Sequence, residues 1–258
     1  MMKVSNLQPG NALAGYVQRI LVIENYRVIS PFILPLFANG APTLLFLTAA
    51  GTLDNSPANH LTLFGQTVFP RTLTVKENFT LIAYFFKPHA LHALFGVPAH
   101  ELADYPVSLN LLEPGMTAEL KDRLLNAGST KIMLSLLDNY IFRLITRTRI
   151  AAEMVMHAAN MVASCTSGES LAAVQKELYV TERTFQRLFK NAIGIAPNLF
   201  RRICQFNAGF QQLNSGRFSR LSDIAFAHGY ADQSHYIRTF KEFTGTTPKD
   251  YLKWAGGA

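Results

Sequence analysis

Little in this sequence points to an exported, membrane-bound or catalytic protein. Two cysteines, Cys165 and Cys204, are too few for a disulfide framework; an unbridged pair fits a reducing compartment, with both expected to be buried. No apolar run approaches the roughly 18 residues a membrane helix needs, so no membrane partner is expected. Met1 to Asn11 has no charged segment followed by an apolar stretch, so no signal peptide is expected and a cytoplasmic location follows. No nucleophile–base pair, phosphate loop or carboxylate constellation stands out, which argues against an enzyme, and no cofactor is implied. Charged residues are scarce at 16% while hydrophobic ones reach 49%, the composition of a chain with real cores. At 258 residues it has room for two domains.

The net charge of +7 is unevenly spread. Residues 160–258 hold twelve basic against seven acidic residues, so +5 of the excess lies in the shorter part. That is a weak sign of a polyanionic partner, because a solvated basic surface gives the same bias about as often.

An internal repeat is more informative. Leu171 to Phe200 reads LAAVQKELYVTERTFQRLFKNAIGIAPNLF, and Leu221 to Tyr251 reads LSDIAFAHGYADQSHYIRTFKEFTGTTPKDY. With one extra residue in the second turn, Leu171 matches Leu221, Val174 matches Ile224 and Phe185 matches Tyr236. Arg187, Phe189 and Lys190 then match Arg238, Phe240 and Lys241, while Gly194 and Pro197 match Gly245 and Pro248. The offset is 50 residues before the turn and 51 after it.

Each copy has the pattern of two short helices joined by a sharp turn. In the second, Ser222 is the expected cap of a helix whose inward face is Ile224, Ala225 and His228, and Gly229 suits the left-handed position that ends it. Asp232 then caps a helix with Tyr236, Phe240 and Phe243 on one face. Ser170 and Thr181 are the expected caps in the first copy, with Phe185, Leu188 and Phe189 as its buried stripe. This is a helix-turn-helix pattern, in which the second helix enters the DNA major groove. Pro197 to Asn214, closed by Gly216, reads as a bridging helix of about 27 Å. A rod of that length suits two reading helices one DNA turn, about 34 Å, apart.

These residues carry a family resemblance. From about Val155 to Lys253 the chain resembles the DNA-binding domain of AraC/XylS-type transcription regulators. The most specific pieces are Thr181-Glu-Arg-Thr-Phe-Gln-Arg-Leu-Phe-Lys190, Asp223-Ile-Ala-Phe-Ala-His-Gly-Tyr230, Arg238-Thr-Phe-Lys241 and Gly245-Thr-Thr-Pro248. The resemblance implies a seven-helix domain with two helix-turn-helix units bridged by a long helix. Where the pattern has Ala and Gly in the first unit, this chain has Gln175 and Tyr179, so a looser or differently shaped first turn is expected.

With the buried stripe set aside, Glu182, Arg183, Gln186, Arg187 and Lys190 remain outward on the first reading helix. Arg pairs in bidentate fashion with guanine and Gln with adenine. Arg183, Gln186 and Arg187 share one ridge by their spacing, and the resemblance points them into the groove; a solvated face is the plainer alternative. In the second helix Gln233, Ser234 and Arg238 match the family's base-contacting positions. Lys190, Arg201, Arg202, Lys241 and Lys249 are candidates for phosphate contact, as are Arg217 and Arg220.

The front of the chain reads as short strands: Tyr16–Glu24, Thr43–Thr48, Leu61–Phe64, Leu73–Val75 and Phe79–Phe86. Helical signals follow at His89–Phe95, Met116–Asn126 and Thr130–Thr148. Gly40-Ala-Pro-Thr-Leu-Leu-Phe46, Phe64-Gly-Gln66 and Tyr84-Phe-Phe-Lys-Pro-His89 resemble the cupin-like sensor region of one branch of the family. His60, His89, His92 and His100 lack the close spacing of a cupin metal set, so no metal is expected.

The expected fold is therefore α+β with two domains. A small β-barrel, cupin-like domain with C-terminal helices spans residues 1–128, and a helical linker and candidate dimerisation helix spans 129–152. An all-α DNA-binding domain follows at 153–258, with helix-turn-helix units at about 170–190 and 221–243. The expected partner is double-stranded DNA, joined by RNA polymerase if the protein activates. A small-molecule effector and a homodimer, through the Ile132, Leu136, Tyr140 and Leu144 stripe, are further candidates; the effector-binding residues are unknown. Two other functions compete: a constitutive DNA binder whose front domain only dimerises, and a cupin-type enzyme with a DNA-binding tail.

Overall fold

The computed structural model describes residues 2–148, 153–164 and 169–255. The strands are β1 (Met2–Leu7), β2 (Val17–Asn25), β3 (Phe32–Leu36), β4 (Thr43–Leu47), β5 (Gly51–Leu53), β6 (Ser56–Ala58), β7 (Leu61–Phe64), β8 (Arg71–Val75), β9 (Phe79–Phe86) and β10 (Val107–Ser108). The helices are α1 (Ala90–Phe95), α2 (Leu109–Leu112), α3 (Pro114–Leu125), α4 (Thr130–Arg147), α5 (Glu153–Ser164), α6 (Glu169–Glu177), α7 (Glu182–Ile193), α8 (Pro197–Ser215), α9 (Leu221–Ala227), α10 (Gln233–Thr244) and α11 (Pro248–Ala255). A 3₁₀ turn at Ala99–Leu102 lies between α1 and β10.

The strands form two antiparallel sheets, one ordered β1-β2-β9-β4-β7-β10 and the other β3-β8-β5-β6. Every residue of β4, β7 and β9 is buried because the larger sheet is covered on both faces. Ile20, Val22, Leu44, Phe46, Ile82, Tyr84 and Phe86 face a core shared with α1 to α4. The alternate residues, among them Ile23, Leu45, Leu81, Ala83 and Phe85, face the smaller sheet. The unforeseen strands β1 and β3 are edge strands, largely exposed in β1 and half-buried with Pro35 in β3, so they lack a strong apolar alternation. β5, β6 and β10 are only two or three residues long, too short for a periodicity.

Helix α4 packs into this first domain. Met133, Leu137, Tyr140, Ile141 and Leu144 are buried in the sheet–helix core, whereas Ile132 and Phe142 are exposed. The Tyr84 hydroxyl donates to Asp138 Oδ1 at 2.7 Å and Thr130 Oγ1 donates to Glu24 Oε1 at 2.5 Å, tying the helix to the sheet. The Thr130 bond is the main reason the Glu24 carboxyl sits below its usual range.

The helical domain has its own core. Phe185 and Phe189 of α7, Phe200, Ile203 and Phe206 of α8, and Tyr236, Phe240 and Phe243 of α10 are all buried there. Cys204 is half-buried rather than fully so, although burial still pushes its thiol up to about 12; Cys165 lies outside the described residues. The histidines sit apart. His60 and His92 bond through Nδ1 to the carbonyls of Leu47 and Val97, and His100 is exposed. Buried His89 is held below its ordinary value mainly by desolvation. Among the described residues no three His, Cys, Asp or Glu side chains come together as a metal site, and no helix is long and apolar enough to cross a membrane.

Candidate nucleic-acid interface

The second helices of the two units are built alike. α7 and α10 are each 12 residues long, and each opens on a side-chain cap. Thr181 Oγ1 accepts from Thr184 N at 3.3 Å, and Asp232 Oδ1 from His235 N at 2.6 Å. Each closes on a left-handed glycine: Gly194 (φ 104°) donates to Lys190 O at 2.9 Å, and Gly245 (φ 76°) to Lys241 O at 2.8 Å. The helices preceding them start differently from expectation. The residue before α9 is Arg220, whose N–H, like that of Ser219, donates to Asp223 Oδ2; Ser222 lies inside the helix. Ser170 likewise lies within α6.

The turns between helices have the same hydrogen bonds in both copies. Tyr179 N donates to Lys176 O and Val180 N to Gln175 O, as Gly229 N does to Phe226 O and Tyr230 N to Ala225 O. The first turn is therefore not differently shaped, and Tyr179 takes a left-handed φ of 52° to make it. Ala225 is fully buried, the small residue that lets α10 cross close to α9.

Helix α8 joins the units. Phe200 meets Phe189 of α7 at a ring separation of 5.6 Å, and Phe206 meets Phe240 and Phe243 of α10 at 5.7 and 5.2 Å. A Cβ on Gly209 would lie 3.2 Å from the Tyr236 ring and 3.4 Å from Ile224, so α8 passes directly over the second unit. His228 is half-buried and bonds to Gln212 Oε1 of α8 at 2.8 Å.

Around this frame the six side chains chosen as base readers, Arg183, Gln186, Arg187, Gln233, Ser234 and Arg238, are all exposed, as are Lys190, Lys241 and Lys249. Leu188 is half-buried, less covered than Phe185 and Phe189 beside it. Gln186 Nε2 donates to Glu182 Oε1 at 3.2 Å on the same helix. The two α8 arginines have partners within the domain. Arg202 pairs with Glu242 of α10 at 2.5 Å and lies 5.5 Å from the Phe243 ring, and Arg201 bonds to Asn198 and Gln205.

Phe37 and Phe64, two of the front domain's aromatics, line a large cavity. About 640 Å³ lies between the two sheets and the helical domain, lined by Leu21, Leu45, Leu81 and Phe85 on one side and Phe210 and Tyr251 on the other. Arg19 also lines it, with its guanidinium carbon 3.5 Å from the centre of the Phe85 ring. A register shift between Val17 and Arg19 in β2 brings Arg19 opposite Phe85. Burial lowers the Arg19 pKa, and among the described residues no carboxylate lies within ion-pair distance of it.

Two helix-turn-helix units on one bridging helix, set against a two-sheet domain, define a two-domain protein with the architecture of a DNA-binding domain at its C-terminus. Residues 174–253 match the model of a helix-turn-helix domain family, and residues 5–108 match that of a domain of unknown function, DUF6597. The chain thus carries an AraC-type helix-turn-helix domain at its C-terminus. No curated protein matches it. Among solved structures it is similar in fold to ToxT from Vibrio cholerae O395, at 12% identity and a TM-score of 0.50, covering 100% of this chain and 98% of that one. A second ToxT structure from that strain, bound to (E)-4-(8-methylnaphthalen-1-yl)but-3-enoic acid, matches at 11% identity and a TM-score of 0.50, covering 98% of each chain.

Proposed function

We propose that this protein is a cytoplasmic, sequence-specific transcription regulator that reads two adjacent major-groove segments. α7 reads one through Arg183, Gln186 and Arg187, and α10 reads the other through Gln233, Ser234 and Arg238. One observation carries the reading: two helices with equivalent caps and matching buried stripes leave all six of these side chains exposed. Lys190, Lys241 and Lys249 supply phosphate contacts, which position the protein without reading sequence.

The cavity beside Arg19 supports control by a small molecule over constitutive binding. A desolvated guanidinium with no carboxylate partner among the described residues, at the edge of an apolar space, suits an organic acid with an apolar body. The similarly folded ToxT structure holds an acid of that chemistry.

The test is binding of full-length protein to duplexes selected from a random pool, followed by a panel of single-base variants at fixed salt. Arg187→Ala should lose about 1–3 kcal/mol at particular base pairs and little elsewhere. Arg238→Ala should do the same at a second segment about one turn, roughly 34 Å, away. Equal loss on every variant would place Arg187 among the phosphate or structural contacts instead.

A further inference from the structure

Both reading helices end on the same part of the first domain. A Cβ on Gly194, at the end of α7, would lie 2.9 Å from the Ala99 carbonyl oxygen and 3.5 Å from Cγ of Gln66. A Cβ on Gly245, at the end of α10, would lie 3.7 Å from Cγ of Pro70. These seats belong to separate segments: Gln66 and Pro70 follow β7, and Ala99 opens the 3₁₀ turn.

One residue fastens the segments together. Asp104 adopts a left-handed φ of 58°. Its Oδ1 accepts from Val68 N at 2.8 Å and from Phe69 N at 3.1 Å. Its N–H donates to Gln66 O at 2.9 Å, and its carbonyl accepts from the Arg71 guanidinium. On either side of the seam, Val68 and Ala103 pack against the core of the helical domain.

We infer that Asp104 is a positioning residue for DNA reading. It holds the Ala99 seat of α7 at a fixed distance from the Pro70 seat of α10, and so helps to set the spacing between the half-sites the protein accepts. The inference rests on the two-helix reading above. Helix α8 links the reading units, and the Asp104 platform braces the C-terminal ends of both reading helices. An acceptor oxygen on a left-handed backbone is the chemical requirement. Asn meets it, because it tolerates that conformation and its Oδ1 accepts from both N–H groups. Gly keeps the backbone and removes the acceptor.

The experiment uses full-length wild type, Asp104→Asn and Asp104→Gly. The probes are the duplex selected by the wild type, each of its half-sites alone, and versions with the spacer lengthened or shortened by single base pairs. Wild type and Asp104→Asn should share one sharp spacer optimum. Asp104→Gly should bind each isolated half-site as the wild type does, yet its preference for the optimal spacer should fall by about tenfold, since two charge-assisted hydrogen bonds are lost. Retention of the sharp optimum by Asp104→Gly overturns the inference. So does loss of half-site binding together with a lowered unfolding temperature, which assigns Asp104 to folding alone. A wild-type protein that selects only one half-site removes the two-helix reading itself, a result separable from either of the others.

Discussion

Tyr179 shows how one residue can carry strain for a shared geometry. It aligns with Gly229, closes its turn with the same hydrogen bonds, and is 96% exposed, so its side chain adds almost no packing. A left-handed φ costs a non-glycine residue about 1–2 kcal/mol, while glycine loses about 0.5–1 kcal/mol through the entropy of the unfolded chain. The first effect is larger. Tyr179→Gly should therefore stabilise the protein by somewhat under 1 kcal/mol, raising the thermal midpoint by about 1–4 °C. A midpoint that falls in calorimetry would show that Tyr179 makes a contact worth more than its strain. Arg19 is the opposite case, a desolvated cation stacked on Phe85 that has no carboxylate within ion-pair distance among the described residues. Arg19→Gln keeps much of the shape and removes the charge. It should weaken binding of an apolar organic acid by about 10- to 100-fold, the worth of a hydrogen bond to a charged group, and leave DNA affinity without the acid unchanged. Titration calorimetry with such an acid checks this, and equal affinity in the variant would remove Arg19 from the acid site.

At the scale of elements, α8 divides its aromatic residues between the two units. Phe200 stacks with Phe189 of the first, and Phe206 with Phe240 and Phe243 of the second. Truncating a buried Phe to Ala costs about 3–5 kcal/mol, a large share of a typical domain's stability. Phe200→Ala should weaken binding at the α7 half-site more than at the α10 half-site, and Phe206→Ala should reverse that order. Protection from cleavage over each half-site measures it; equal loss at both from either change would mean that the helical domain loosens as one unit. The sequence made these elements legible because the periodicity of Phe185, Phe189, Tyr236, Phe240 and Phe243 survives in both copies, and Gly194 and Gly245 mark where the helices end. The strands with apolar runs, β4, β7 and β9, were legible for the same reason. Ser222 misled as a cap because Asp223, one residue on, supplies the accepting carboxylate instead. The exposure of the six candidate base readers followed from subtracting the buried stripe. What stayed hidden depends on residues far apart in the chain: the bulge that brings Arg19 to Phe85, the seat of Gly194 on Ala99, and the bonds from Asp104 to Val68 and Phe69.

For the whole molecule the question is how much the helical domain depends on the sheets beneath it. Its core of Phe185, Phe189, Phe200, Phe206, Tyr236, Phe240 and Phe243 comes entirely from residues after 153, and a segment of 153–258 has the size of an ordinary domain. The first domain adds Ala38, Val68 and Ala103 to that core, stacks Phe37 on Phe210 and Tyr251 at ring separations of 5.7 and 6.1 Å, and packs α1 and the 3₁₀ turn against α7. The fragment 153–258 should therefore fold cooperatively on its own, with a lower thermal midpoint than the same domain in the full chain. It should bind DNA with an affinity that falls steeply with salt, because the exposed Arg183, Arg187, Lys190, Arg238, Lys241 and Lys249 stay with it. It should also lose two properties of the full chain. No organic acid should change its affinity, since most of the cavity wall and Arg19 are gone. Its tolerance of altered half-site spacing should widen, since the seats at Ala99 and Pro70 are gone as well. Circular dichroism and binding over a range of salt and spacer lengths separate the possibilities. A folded fragment with no salt-dependent binding would sink the DNA-reading function. A fragment as selective for spacing as the full chain would show that α8 alone sets the distance between the reading helices.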